Sequence, residues 1–125
     1  MIRWQPKCWL RVRLISSQTM VPKIKNLKRM LQEVNVQGLV FVYIYTEWNE
    51  DCMIVSDTMD ELQEEYSGAL FYKVDKDEVR EVSQYGITSV PAFLMFKDGH
   101  KLGHLQETSV LVIREALTNA CERYG

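Results

Sequence analysis

The stretch Leu39-Val-Phe-Val-Tyr-Ile-Tyr45 sets the strongest constraint on how this chain folds. It is a strand-length run of β-branched, aromatic and aliphatic residues with no polar side to turn toward water. Side chains alternate between the two faces of a strand, so a run of this kind needs apolar cover on both. That is the pattern of a central strand in a sheet with helices packed on either side. The run is far shorter than the roughly 20 residues a membrane-spanning helix needs, and no apolar segment in the 125 residues is longer. No membrane partner is expected, and the length suits one domain with its own core.

The flanking segments supply the cover. Ile24, Leu27, Met30, Leu31 and Val34 recur at helical spacing, after a capping cluster Ser16-Ser-Gln-Thr19 and with Pro22 tolerable in the first turn. A second helix is predicted over residues 50–66, closed by Ser67-Gly68. In it Cys52, Val55, Met59, Leu62 and Tyr66 lie three or four apart, on one face. Residues 69–75 read as a strand and residues 77–85 as a short helix stopped by Gly86. Residues 92–96, the tight-turn dipeptide Asp98-Gly99 and residues 101–107 then form a hairpin. A last amphipathic helix carries Val110, Leu111, Ile113, Leu117 and Cys121. The order is that of an α/β domain, with a central mixed sheet of about five strands flanked by four helices.

Charge divides the chain unevenly. Eight of the 15 basic residues and none of the 17 acidic ones fall in residues 1–32, so a formal net charge of −2 conceals a basic start and an acidic remainder. Residues 1–20 form a basic extension open to two readings. Trp4, Trp9, Leu10, Val12 and Leu14 among arginines fit a mitochondrial presequence, whereas Trp9-Leu-Arg-Val-Arg-Leu-Ile15 alternates with period two and fits a first strand. Residues 21–125 are the expected folded domain. The basic residues are scattered and accompany no recognition motif, so nucleic acid is not an expected partner. Cys8, Cys52 and Cys121 are odd in number and widely spaced, which gives no disulfide framework and no zinc pattern. A reducing intracellular compartment follows, either cytoplasmic or, if the extension is a presequence, mitochondrial. His100 and His104 are too far apart for a metal site, and Asp75, Asp77 and Glu78 suit a helix start better than a calcium loop. No metal or cofactor is expected.

Two segments carry a resemblance. At Trp48-Asn-Glu-Asp-Cys52 and Gly86-Ile-Thr-Ser-Val-Pro-Ala-Phe93, continuing through Phe96-Lys-Asp-Gly99, the chain resembles the thioredoxin family, and the likeness runs from about residue 21 onward. The resemblance implies the thioredoxin fold, with a cis peptide bond before Pro91 facing the site. It equates Trp48 with the tryptophan before the family's Cys-Gly-Pro-Cys motif and Lys73 with the lysine of the third strand. It also marks departures. Asn49 stands where the family has its attacking cysteine, Glu50-Asp51 replaces Gly-Pro, and Cys52 alone survives. Tyr43 falls at the buried acid, and Glu107 at the glycine that closes the substrate-facing loop. The thioredoxin-like domain of multidomain monothiol glutaredoxins is similar in lacking the first cysteine and keeping the second. That likeness would link the chain to iron–sulfur or iron-regulatory assemblies.

Disulfide exchange needs an accessible thiolate and a second thiol to resolve the mixed disulfide. Asn49 has no ionisable group, but asparagine is among the best helix N-caps, and acids at positions 50 and 51 complement the helix dipole. Cys52 falls on the apolar stripe, where burial and the adjacent carboxylates disfavour its thiolate. The leading expectation is therefore a non-catalytic module that holds a protein or peptide partner in a shallow apolar groove at Trp48, Val90 and Pro91; the resemblance implies that the residue before the proline pairs its backbone with an extended peptide. The alternative is an oxidoreductase of monothiol type, with Cys52 as its catalytic residue, acting by mixed disulfide or with glutathione. Either version is a monomer or a weak dimer, a disulfide link through Cys8 or Cys52 included. Tyr43, a buried strand aromatic, needs a hydroxyl partner, expected near Lys73.

Overall fold

In the computed structural model, which describes residues 20–124, the apolar run Leu39–Tyr45 is strand β2 at the centre of a five-stranded sheet. Strand β3 (Leu70–Asp75) runs parallel to it on one side and β4 (Ala92–Lys97) antiparallel on the other. The two-residue β1 (Lys23–Ile24) extends the sheet beyond β3, and β5 (His100–Gln106) extends it beyond β4, giving the order β1-β3-β2-β4-β5. Alternate residues of β2 feed two cores. Phe41 and Tyr43 pack with Cys52, Val55, Met59 and Leu62 of helix α2 (Glu50–Glu65) and with Ile113 and Leu117 of helix α3 (Val110–Tyr124). Val40, Val42 and Ile44 pack on the other face with Met30 and Val34 of helix α1 (Leu27–Val34) and with Val82 of a 3-10 helix, Arg80–Tyr85. Each such side chain contributes roughly 1.5–3 kcal/mol on burial, so the double-sided run is the main support of the fold. No helix among the described residues is long and apolar enough to cross a membrane.

The α/β architecture, the mixed sheet of five strands and the thioredoxin fold agree with the sequence reading, but two elements differ from it. Helix α1 starts at Leu27, after Pro22 rather than around it, and its cap is Asn26, whose side chain accepts from the Arg29 N–H at 2.8 Å. The chain before it is extended: Lys23 and Ile24 pair with Lys73 and Val74, and the Pro22 carbonyl accepts from Lys73 N at 2.9 Å. Ile24 enters the same core as α1, so a strand residue mimicked helical spacing. The candidate strand at residues 9–15 and the cluster at 16–19 lie outside the described residues. Residues 77–85 hold not an α-helix but a turn followed by the 3-10 helix. Asp75 causes the turn, since its side chain accepts from Asp77 N at 2.8 Å and its carbonyl accepts from the Glu78 and Val79 N–H groups. Asp98 and Gly99 both have positive φ, as a two-residue hairpin turn requires.

Candidate functional site

The corner between β2 and α2 is built as a helix start. Asn49 adopts the extended backbone of a cap, and its side-chain oxygen accepts from the Cys52 N–H at 3.2 Å. A cap of this type is worth about 1 kcal/mol. Glu50 and Asp51 occupy the first turn, where a carboxylate adds a further ~0.3–1 kcal/mol through the helix dipole.

Cys52 points inward. It is 3% exposed and belongs to the core beneath α2. Burial pushes its thiol pKa up, and the Asp51 carboxylate adds to that. The Thr46 backbone and the Tyr43 hydroxyl pull it down without reversing the direction. Tyr43 donates its hydroxyl to the Cys52 carbonyl at 2.6 Å, and burial holds that phenol well above its ordinary range, so it stays a neutral donor. This replaces the expected Lys73 partner. Lys73 instead sets its ammonium over the Tyr45 ring, 5.8 Å from the centroid. A small, largely apolar cleft of ≈ 330 Å³ reaches Cys52 from the side of Tyr45, Met53 and Ser56.

A larger cleft of ≈ 570 Å³ opens on the other side of Asn49. Trp48 forms one rim, 72% exposed, with its indole N–H donating to the Asp77 carboxylate at 3.1 Å. Val90 lines the same cleft, and the Val90–Pro91 bond is cis. Pro91 itself is buried. Lys76, Arg80, Ser83, Thr88 and Ser89 complete the wall, so the groove is half polar rather than apolar as the sequence reading had it. Charged and hydroxyl residues reach it from the segment after β3, which the motif around Trp48 does not reveal. Gln106 holds the Val90 rim in place: its side-chain oxygen accepts from Thr88 N at 2.6 Å and Ser89 N at 2.9 Å.

The family model described as Thioredoxin matches residues 19–119. The chain belongs to the thioredoxin family. It is 37% identical over 92 residues to Glutaredoxin 3 of Danio rerio, a match that covers 73% of this chain and 27% of that protein. The chain thus spans about a quarter of that relative's length. It is also 28% identical over 105 residues to Thioredoxin AMT13 of Alternaria alternata, covering 82% of this chain and 89% of that protein. Among solved structures, a Plasmodium falciparum thioredoxin superimposes with a TM-score of 0.72 at 28% identity, covering 84% of this chain and all of the other. A thioredoxin from Trypanosoma brucei brucei, at 19% identity and a TM-score of 0.75 over 83% of this chain and 93% of its own, shares the fold.

The structure gathers Trp48, Asn49 and Val90 around the larger cleft and places Cys52 on the smaller one. Glu107, at the family's loop glycine, turns its carboxylate to the Ser109 N–H at 3.0 Å, while its own N–H donates to the Pro91 carbonyl. His100 and His104 are both exposed on β5. Cys121 is half-buried and free, and Cys8 lies outside the described residues. Sequence reasoning missed Gln106, Asp77 as the tryptophan's partner, and Thr46. The Thr46 hydroxyl is the buried side-chain oxygen left without a partner among the described residues, and Thr46 lines both clefts. None of these carries a local signal, because each acquires its role from a segment distant in sequence.

Proposed function

We propose that this thioredoxin-family domain acts as a binding module for an extended protein segment and not as a dithiol oxidoreductase. The observation that carries this reading is the Asn49 cap: the position of the family's attacking thiol holds an amide that closes the helix, while the surviving Cys52 is buried and its thiolate disfavoured. The binding face persists without that chemistry. Among the described residues the Val90 backbone N–H and C=O have no hydrogen-bond partner. An extended chain can pair there in the manner of an added strand, beside the exposed Trp48 ring. The free thiols of Cys52 and Cys121 fit a reducing compartment.

A second reading rests on the small cleft that Cys52 helps to line, which brings open space next to that buried residue. Through it Cys52 would act alone, by mixed disulfide with a partner thiol or with glutathione. Dithiothreitol-driven reduction of insulin disulfides tests the binding-module reading. The native chain should show no catalysis above the uncatalysed rate, whereas Asn49→Cys, which restores an attacking thiol at a helix N-terminus, should gain it. Catalysis by the native chain would contradict the reading.

A further inference from the structure

We infer that the larger cleft selects an acidic segment of its partner, seating a carboxylate side chain between Lys76 and Arg80; this rests on the peptide-binding reading above. Both cations line the cleft, one just past the end of β3 and the other at the first residue of the 3-10 helix. Among the described residues neither has a carboxylate partner, whereas Lys23, Arg29 and Arg114 are each in ion pairs. The acid lining the same cleft, Asp77, has a carboxylate oxygen engaged by the Trp48 indole, which leaves two cations against one anion. Beyond residue 32 the chain holds seven basic residues against 17 acidic ones, so a cleft with cationic excess inverts the local background. Ser83 and Thr88 also line the cleft, their hydroxyls donating to the Arg80 carbonyl at 3.0 Å and to the Gln106 side-chain oxygen at 3.1 Å, so the two cations are the groups left to bind an anion.

The charges also orient the occupant. Glu50 and Asp51 stand in the first turn of α2, next to Asn49 in sequence and outside the cleft lining. They disfavour a carboxylate near Asn49, whereas Lys76 and Arg80 favour one against the single Asp77 carboxylate. An apolar residue of the same segment then meets Trp48, and the segment's backbone meets Val90. Rim charges act modestly in water, so neutralising both cations should weaken binding about three- to tenfold, with the difference shrinking as salt is raised.

The test is selection of a phage-displayed random heptapeptide library on the full chain, on a Lys76→Gln, Arg80→Gln double variant and on Trp48→Ala, each matched to the native circular dichroism spectrum. The native chain should enrich peptides with Asp or Glu at a fixed distance from an apolar residue. The double variant should still recover peptides but lose the acidic preference, and Trp48→Ala should recover few. Peptides without acidic enrichment, or enrichment that survives in the double variant, would overturn the inference and leave the peptide-binding reading standing. Failure of the native chain to recover any peptide would overturn both. Displacement of the selected peptides by millimolar reduced glutathione in the native chain but not in the double variant would assign the cations to a small tripeptide and overturn the partner-segment inference.

Discussion

The Asn49 amide and the Thr46 hydroxyl lie three residues apart on one turn, and they have opposite fortunes. The Asn49 side-chain oxygen and its backbone carbonyl both accept from the Cys52 N–H, each at 3.2 Å, which stabilises the corner where the family places a reactive thiol. Thr46 is 3% exposed and its hydroxyl has no partner among the described residues, which leaves it with an uncompensated desolvation cost. Thr46→Val keeps the shape and removes that oxygen. It should raise the unfolding free energy by about 1 kcal/mol, read as a higher urea midpoint. A lowered midpoint would mean that the hydroxyl has a partner in solution. The capping residue and its acidic neighbours were legible because capping chemistry is local. The Tyr43 bond to the Cys52 carbonyl was not, because Lys73 sits beside Tyr43 in the strand register and was the nearer candidate on sequence grounds.

Between segments, the informative contact joins the end of β5 to the loop before Pro91. Gln106 accepts from two consecutive backbone N–H groups, Thr88 and Ser89, and so fixes the chain that presents Val90. Gln106→Ala should leave the sheet intact, speed hydrogen exchange at those two amides about tenfold, and cost ~1 kcal/mol of stability. Unchanged exchange would show that the loop is held by other contacts. Strands β2 to β5, the hairpin turn and α2 followed from periodicity and turn chemistry, whereas β1 did not. The start of α1 did not, since Ile24 shares a core with the helix while lying in a strand, and the 3-10 helix did not, since Asp75 tightens the chain ahead of it. The polar half of the large cleft was hidden for a related reason: Lys76, Arg80 and Thr88 meet Trp48 only when β2, β3 and β4 lie side by side.

Taken as a unit, the domain keeps its thiols protonated. Burial first, then Glu122 and Glu65, push Cys121 up to about 12 from an ordinary 9.0, and Cys52 moves in the same direction. A raised folded-state pKa stabilises the protein fully below the unfolded value, and that contribution is lost as pH rises from 9.0 toward about 12. The stability advantage of the native chain over Cys121→Ala should therefore narrow across that window in urea unfolding. A constant difference would mean that the Cys121 thiol is not shielded. Burial of Cys52 likewise underlies the function proposed for the domain, and alkylation of Cys52 by iodoacetamide as pH is raised, in the full chain carrying Cys8→Ser and Cys121→Ser, tests it most directly. A thiol that reacts slowly below about pH 9, and rapidly only above it or on unfolding, is the expected result. Fast alkylation at neutral pH with an apparent pKa below about 7.5 would contradict it and make Cys52 a working nucleophile.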